Sequence, residues 1–250
     1  MTGFWKAYAE GNSYVIVDVP ADAAALLPWG VDSGLGIGGD GVLLADWRRG
    51  GPIGMRVFNA DGTEAPSCAN GARCLAALAI VTGRASGESV VVRSAGAELT
   101  HWLVDREQLR LTQSMAVPAE SVVWRGEDCC QVELGTAHRI VFGALEGLDA
   151  DVEGRRRCGE WPGGTNVMFT SAAGQARLRV IPWERGVGPT RGCASGAAAA
   201  VLAMADSKPG WPESVAVEQP GGTVQVRRRA DSIEITGTVR LVAHGSLVTR

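Results

Sequence analysis

At 250 residues the chain can form one large domain or two of about half that length, and either option buries a sizeable core. It has 46% apolar and 20% charged residues, the composition of an ordinary soluble globular protein, and its formal net charge of −3 argues against a dedicated nucleic-acid binder. No early apolar stretch approaches the ~18 residues that cross a bilayer, and no basic segment precedes one as in a secretion signal. We therefore expect a cytoplasmic protein without nucleic-acid or membrane partners.

The number and spacing of the cysteines limit the redox and metal chemistry that we expect. Six are present, at positions 68, 74, 129, 130, 158 and 193, with neither the density nor the spacing of a secreted disulfide framework. They form no paired Cys-x-x-Cys knuckles, so we expect no structural metal and mostly reduced thiols.

The first half of the chain predicts strands around two helices. Residues 21–29 predict a brief helix and residues 69–81 a good one, which Gly83 ends. Strands are predicted at 4–8, 14–17, 42–45, 55–58, 90–93, 98–103 and 109–112, and residues 115–124 are ambiguous because Pro118 breaks them.

The glycine-rich run at 34–41 suggests a nucleotide-binding loop at first sight. It precedes a strand instead of linking a strand to a helix, however, and no Gly-Lys-Ser/Thr ends it, so the phosphate-loop hypothesis is rejected. A tight loop beside a ligand and a simple glycine-tolerant turn both remain open.

From residue 131 the sequence repeats the pattern of the first half. Residues 135–141 align with residues 11–17 at an offset of 124, and Cys193 aligns with Cys68 at an offset of 125, which indicates an internal duplication. We expect an α+β fold of two similar halves facing each other across a cleft, each a strand-rich sheet wrapped around one long apolar helix. The second helix is predicted at 194–205, and strands at 177–181, 215–218, 224–228, 233–236 and 239–243. The halves are predicted at 1–118 and 119–250, with the C-terminal strands allowed to cross back to the first half.

Cys68 and Cys193 are the candidate reactive groups. Each stands nine residues after a polar side chain, Asn59 or Glu184, and each is followed by Ala-x-Gly-Ala where a loop enters a helix. Unpaired N–H groups of a first helical turn bind anions and lower the pKa of a nearby thiol. Two such thiols can remove a proton from one face of a carbon and return one to the other, which inverts the centre.

If both helix starts point into the cleft, their backbone N–H groups can bind one carboxylate next to that carbon. These donors belong to Ala69, Asn70, Ala194 and Ser195. The alternative for each cysteine alone is a small buried hydrophobe at a helix start. The matched pair favours catalysis.

The two motifs resemble the signatures of the diaminopimelate epimerases. They read Asn-Ala-Asp-Gly-Thr-Glu leading to Cys-Ala-Asn-Gly-Ala-Arg-Cys at 59–74, and Trp-Glu-Arg-Gly-Val-Gly leading to Cys-Ala-Ser-Gly at 183–196. The likeness extends through Gly-Asn at 11–12, Gly-Ile-Gly-Gly-Asp-Gly at 36–41, Gly-Thr-Ala-His at 135–138 and Thr-Asn-Val at 165–167. The resemblance implies two pseudo-symmetric halves and an isomerase that needs neither metal nor pyridoxal phosphate.

Carried over residue by residue, the resemblance assigns roles to single side chains. Cys68 and Cys193 become the acid/base thiols, assisted by His138 and Glu184. Substrate is held by Asn12, Asn59, Asn166 and Arg185, the last because an Arg fork binds a distal carboxylate well. His101 and His244 lack such a context and are predicted to be surface residues.

The departures from the family pattern concern the substrate. Ala69 and Ala194 replace the usual glycine after each cysteine, Ser13 replaces Asp, Thr136 replaces Asn, and Pro189 replaces Glu. The first hypothesis is an epimerase interconverting LL- and meso-diaminopimelate in lysine and peptidoglycan biosynthesis, and the alternative is a racemase of the same fold acting on another amino acid. A non-enzymatic ligand-binding or redox-sensing module is the third. The partner expected in each case is a small molecule, and a homodimer is the default assembly.

Overall fold

The computed structural model describes residues 1–47, 51–85, 87–95 and 97–248. Contacts divide the chain into two compact units, residues 1–113 with 238–250, and residues 114–237. The sequence analysis placed one boundary after residue 118 and allowed C-terminal strands to join the first half.

The first unit contains two helices among short strands. In chain order these are β1 (Thr2–Ala9), β2 (Asn12–Asp18), α1 (Ala23–Val31), β3 (Gly41–Asp46), β4 (Ile53–Asn59), β5 (Glu64–Ala65), α2 (Ala69–Val81), β6 (Ser89–Ser94), β7 (Ala97–Asp105) and β8 (Arg110–Ala116).

After one additional strand, β9 (Val122–Arg125), the second unit has the same order of elements. It continues with β10 (Cys129–Leu134), β11 (Thr136–Phe142), α3 (Ala150–Gly159), β12 (Asn166–Ala172), β13 (Arg177–Glu184), β14 (Gly188–Pro189), α4 (Ala194–Ser207), β15 (Ser214–Gln219), β16 (Gly222–Arg228) and β17 (Ser232–Leu247). The strands β8 and β17 each include residues of both units.

Strand pairing repeats from one unit to the other. In the first unit, β1–β2 is antiparallel, β2–β3 parallel, β3–β4 antiparallel, β4–β6 parallel and β6–β7 antiparallel. The pairs β10–β11, β11–β12, β12–β13, β13–β15 and β15–β16 follow the same sequence of directions in the second. Gly11 and Gly135, which turn the equivalent hairpins, both have positive φ, at 97° and 72°. The predicted α+β fold and its duplication are confirmed.

The helices α2 and α4 form the centre of their units. Both are rich in alanine, which has the highest helix propensity and lets surrounding strands approach closely. Residues 72–79 of α2 and 197–201 of α4 are almost completely buried. Gly83 follows α2 with φ of 69°, the left-handed conformation that commonly ends a helix.

The helix α3 was not predicted. Its basic residues Arg155 and Arg156 are exposed, whereas Arg157 is largely buried and pairs with Asp128 and Glu153. Two expectations from the sequence were wrong or incomplete. Residues 233–236 and 239–243 belong to one continuous strand, β17. His101 is fully buried, not on the surface, because it shares the inward face of β7 with Leu99; His244 is exposed as predicted.

Candidate active site

Cys68 is the N-cap residue of α2. Its φ and ψ of −148° and 110° are extended, and its sulfur accepts a hydrogen bond from the backbone N–H of Gly71 at 3.3 Å. The hydroxyl oxygen of Tyr14, on β2, lies 3.0 Å from the same sulfur. The side chain is half-buried. Cys68 is thus held at a helix start by one backbone donor and one phenol, and Ala69 and Asn70 contribute the first two N–H groups of that helix.

Cys193 is the N-cap residue of α4 and has nearly the same backbone conformation, with φ and ψ of −137° and 110°. Its backbone N–H donates to Oε1 of Gln219 at 2.6 Å, and Nε2 of Gln219 donates back to its carbonyl at 3.3 Å. The sulfur lies 3.5 Å from the hydroxyl oxygen of Ser195. This thiol is buried, so the two matched helix starts differ in solvent access.

The electrostatics of Cys193 favour the protonated thiol, whereas its place at a helix start predicted a lowered pKa. Burial raises its pKa well above the ordinary value, and the Glu184 carboxylate raises it further, while the Ser195 hydroxyl partly opposes them. Burial also raises the pKa of Glu184, opposed by Thr190, whose hydroxyl donates to Glu184 Oε1 at 2.6 Å. At neutral pH the sulfur therefore carries a proton that it can donate.

His138 contacts the same helix start through a hydroxyl. Its Nε2 lies 3.1 Å from the Ser195 oxygen and 3.4 Å from the Thr136 oxygen. Burial lowers its pKa to about 4, so the imidazole is neutral at neutral pH. Cys193, Ser195 and His138 form a chain of neighbouring polar groups.

Strand pairing shows which further candidate residues have equivalent positions in the two units. In the second unit, His138 on β11 pairs with Asn166 on β12, and Glu184 ends the adjacent strand β13. In the first unit, Tyr14 pairs with Gly41, and Gly41 pairs with Asn59. Asn59 therefore takes the position that Glu184 has in the other repeat.

The predicted substrate-holding residues are placed as follows. Asn166 Oδ1 accepts from the backbone N–H of Arg185 at 3.0 Å, and the exposed Arg185 guanidinium donates to the Gly163 carbonyl. The Asn59 amide donates to the Thr63 hydroxyl at 3.0 Å. Asn12 begins β2, half-buried. Their roles toward substrate stay predictions.

The glycine-rich loop at 34–41 is fixed to the first unit beside Asn12. Lys6 Nζ donates to the carbonyls of Ile37 and Gly38 at 2.9 and 2.8 Å. The Asp40 carboxylate accepts from the backbone N–H and the hydroxyl of Ser13 at 2.6 and 3.0 Å. The loop is thus a tightly held turn next to a candidate substrate residue.

Sequence reasoning missed Tyr14, Thr190 and Gln219 as parts of these helix starts. Tyr14 could have been found, because the repeat aligns it with His138. Thr190 and Gln219 act through contacts that no local pattern predicts.

Within residues 1–47, 51–85, 87–95 and 97–248 there is neither a candidate metal site nor a candidate membrane span. No three His, Cys, Asp or Glu side chains there are grouped so that they could hold a metal ion. Across the same residues, no helix has the length and apolar character needed to cross a membrane.

Comparison with known sequences points to one family. A profile described as diaminopimelate epimerase matches residues 4–120. The diaminopimelate epimerase of Geobacillus kaustophilus (strain HTA426) is 31% identical, with 97% of this chain and 95% of the relative covered. That of Desulforudis audaxviator (strain MP104C) is also 31% identical, with 98% and 99% covered.

Comparison with solved structures supports the fold. A PhzF-family phenazine biosynthesis protein of Bacillus anthracis superposes with a TM-score of 0.74 at 14% identity, covering 99% of both chains. A probable proline racemase of Agrobacterium radiobacter K84 superposes with a TM-score of 0.73 at 14% identity, covering 100% of this chain and 94% of the other. At such identities the likeness concerns the fold alone.

Proposed function

Because this chain is an isomerase of the diaminopimelate epimerase family, we propose that it interconverts LL- and meso-diaminopimelate without a cofactor, as a step of lysine and peptidoglycan biosynthesis. The observation that carries the proposal is the matched pair of N-cap cysteines, one at the start of each unit's central helix. A duplicated fold that repeats a thiol at a helix start supplies the two acid/base groups that inversion of a carbon requires.

In the proposed reaction Cys193 starts as the proton donor. Its sulfur is buried and carries its proton, as the raised pKa indicates. Cys68, as thiolate, accepts the proton from Cα, and Cys193 delivers its own proton to the opposite face. The two protonation states are then exchanged, and the reverse reaction begins from that exchanged state. The charge on the enzyme is conserved in each direction.

The helix starts supply the stabilisation that a thiolate base needs. Removing a proton α to a carboxylate develops negative charge on that group, and N–H groups of a first helical turn are oriented toward such charge. Ala69 and Asn70 in one unit, and Ala194 and Ser195 in the other, are these first-turn residues. Each helix dipole contributes roughly 0.3–2 kcal/mol.

Glu184 and His138 assist on the Cys193 side. The Glu184 carboxylate stabilises the protonated thiol, and neutral His138 fixes the Ser195 hydroxyl close to the sulfur. Arg185, with Asn12, Asn59 and Asn166, would recognise the distal end of a substrate that carries a second carboxylate.

Thr136 and Pro189 favour the second candidate, a racemase of another amino acid. Thr136 stands 3.4 Å from His138, and Pro189 ends the short strand β14 beside the Thr190–Glu184 hydrogen bond. Both positions differ from the residues that the family resemblance implies. An altered distal pocket would change the substrate and leave the thiol chemistry intact.

The test is turnover of pure LL-diaminopimelate, with meso product measured by chiral chromatography, beside a panel of free L-amino acids. We expect meso-diaminopimelate from the wild type and none from Cys68→Ala or Cys193→Ala. Turnover of a panel amino acid in place of diaminopimelate would establish the second candidate, and full activity of either cysteine variant would refute both.

A further inference from the structure

Arg73 is a fully buried cation in the second turn of α2, five residues after Cys68. Its Nη2 donates both to the buried carboxylate of Glu10 and to Oδ1 of Asn70, the latter at 2.8 Å. The other oxygen of Glu10 accepts from the backbone N–H of Thr238 at 2.7 Å. A continuous chain of contacts thus runs from β17 through Glu10 and Arg73 to the first turn of the helix.

Stability does not account for this ion pair. Among the described residues, Nε and Nη1 of Arg73 have no hydrogen-bond partner although both atoms are buried. Each unpaired buried donor of a charged group is costly, and apolar residues of similar volume often replace a buried ion pair without loss of stability. The pair therefore calls for another role.

In the second repeat, apolar residues occupy the positions that correspond to Glu10 and Arg73. At the offsets of the duplication, Leu134 corresponds to Glu10 and Ala198 to Arg73, and both are buried without charge. Ser195 corresponds to Asn70 and is instead fixed by the His138 contact. Each repeat thus holds the second residue of its central helix with a different polar group.

The contact with Arg73 fixes how the Asn70 amide is oriented. A guanidinium only donates hydrogen bonds, so the atom facing it must be the carbonyl oxygen of the amide. The remaining hydrogen-bonding groups of that side chain are its two amide protons. A ligand carboxylate at the helix start would meet these donors in addition to the backbone N–H groups.

We propose that Glu10 and Arg73 are positioning residues that hold the Asn70 side chain as a donor to the substrate carboxylate at the start of α2. This inference rests on the proposed function for the identity of the carboxylate. The pair acts through Asn70 and does not touch the reacting carbon itself.

The first test is a mutant cycle in the full-length protein. Glu10→Leu/Arg73→Met, which imitates the second repeat, should lower kcat/KM for LL-diaminopimelate about tenfold, mainly through KM, since a hydrogen bond to a charged group is lost. Asn70→Ala should have a similar effect. The triple variant should be no worse than Asn70→Ala alone, whereas multiplying losses would show that the pair acts on the fold and would overturn the proposal.

A second measurement does not depend on turnover. Iodoacetate and iodoacetamide alkylate thiols similarly but differ in charge, so their rate ratio at Cys68, followed by peptide mass spectrometry, reports carboxylate recognition there. We expect this ratio to fall about tenfold in Glu10→Leu/Arg73→Met and not to fall further when Asn70→Ala is added. An unchanged ratio would overturn the positioning role, even if diaminopimelate proved not to be the substrate.

If the double variant does not fold, Glu10→Gln provides an alternative test. It keeps the shape and an acceptor oxygen for Thr238 but removes the charge that holds Arg73. An intermediate fall in the alkylation ratio is expected, and Arg73→Lys, whose side chain is shorter than that of arginine, should resemble it. A wild-type ratio in both single variants would contradict the proposal.

Discussion

The two buried histidines should make the protein lose stability as the pH falls below 6.5. Burial lowers the pKa of His138 and of His101 from 6.5 to about 4, and for His101 the charge of Arg73 adds to the effect. The unfolded chain binds a proton at each histidine below pH 6.5, whereas the folded chain does so only near pH 4. The stability that the two neutral histidines contribute is therefore fully present above pH 6.5 and is lost as the pH falls from 6.5 toward 4.

The magnitude follows from the size of the shift. A difference of about 2.5 pKa units corresponds to a maximum of about 3 kcal/mol for each histidine, of which about 2 kcal/mol is lost between pH 7 and pH 4.5. Carboxylates such as Glu10 and Glu184, whose pKa values are raised by burial, change the stability with pH in the opposite sense. The comparison must therefore be made between variants and the wild type.

The assay is urea denaturation at pH 7 and pH 4.5 of the wild type and three variants, His101→Gln, His138→Gln and the exposed control His244→Gln. Each buried-site variant should lose about 2 kcal/mol less than the wild type on acidification, and the control should follow the wild type. Equal losses in all four proteins would refute the assignment of the two histidines as buried neutral groups.

Two further pairs of substitutions test the helix starts. Gly196→Ala should cost about 1–3 kcal/mol of unfolding free energy in urea, because the added methyl would clash with the buried Met168 side chain, whose sulfur is the nearest atom and whose methyl is 2.7 Å away. In the matched Gly71→Ala the nearest atom to the added methyl is 3.2 Å away, so this variant should cost less than about 1 kcal/mol. Equal costs would contradict the packing. Thr190→Val removes the donor to Glu184 and should lower kcat/KM about tenfold and raise the apparent pKa of that carboxyl in the pH–rate profile, whereas Thr190→Ser should retain both. A wild-type profile for the valine variant would count against Glu184 as an assisting group.

The central helices could be predicted from sequence because their signals are local. Residues 69–81 are apolar and alanine-rich, a loop enters at Cys68 and Gly83 permits the left-handed turn at the end, so the predicted bounds match those of α2. The duplication could also be predicted, because residues 135–141 align with residues 11–17 in the sequence. The alignment pairs the hairpin glycines Gly11 and Gly135, which both have positive φ.

Elements stabilised by tertiary contacts could not be predicted in this way. The helix α3 is strongly polar and has only Gly154 buried, so it lacks the apolar periodicity that marks a helix. His101 was misassigned although its spacing from Leu99 on β7 places both on one face, a signal present in the sequence.

The side-chain partners of the thiols depend on distant segments. Tyr14 reaches Cys68 from 54 residues away, and His138 reaches Ser195 from 57 residues away. The motifs identify which cysteines stand at helix starts, but burial and the Glu184 charge, which keep Cys193 protonated, follow from packing alone.

The most direct test of the two-thiol reaction is the early time course of LL-diaminopimelate turnover in deuterium oxide, followed by mass spectrometry of the separated stereoisomers. With two thiols, one removes the substrate proton and the other, already exchanged with solvent, supplies deuterium to the opposite face. We predict that the first meso product carries one deuterium at the inverted Cα while the remaining LL substrate carries none. Product that retains the original hydrogen, or deuterium that enters the substrate as fast as the product forms, would contradict the account, because each requires a single base serving both faces.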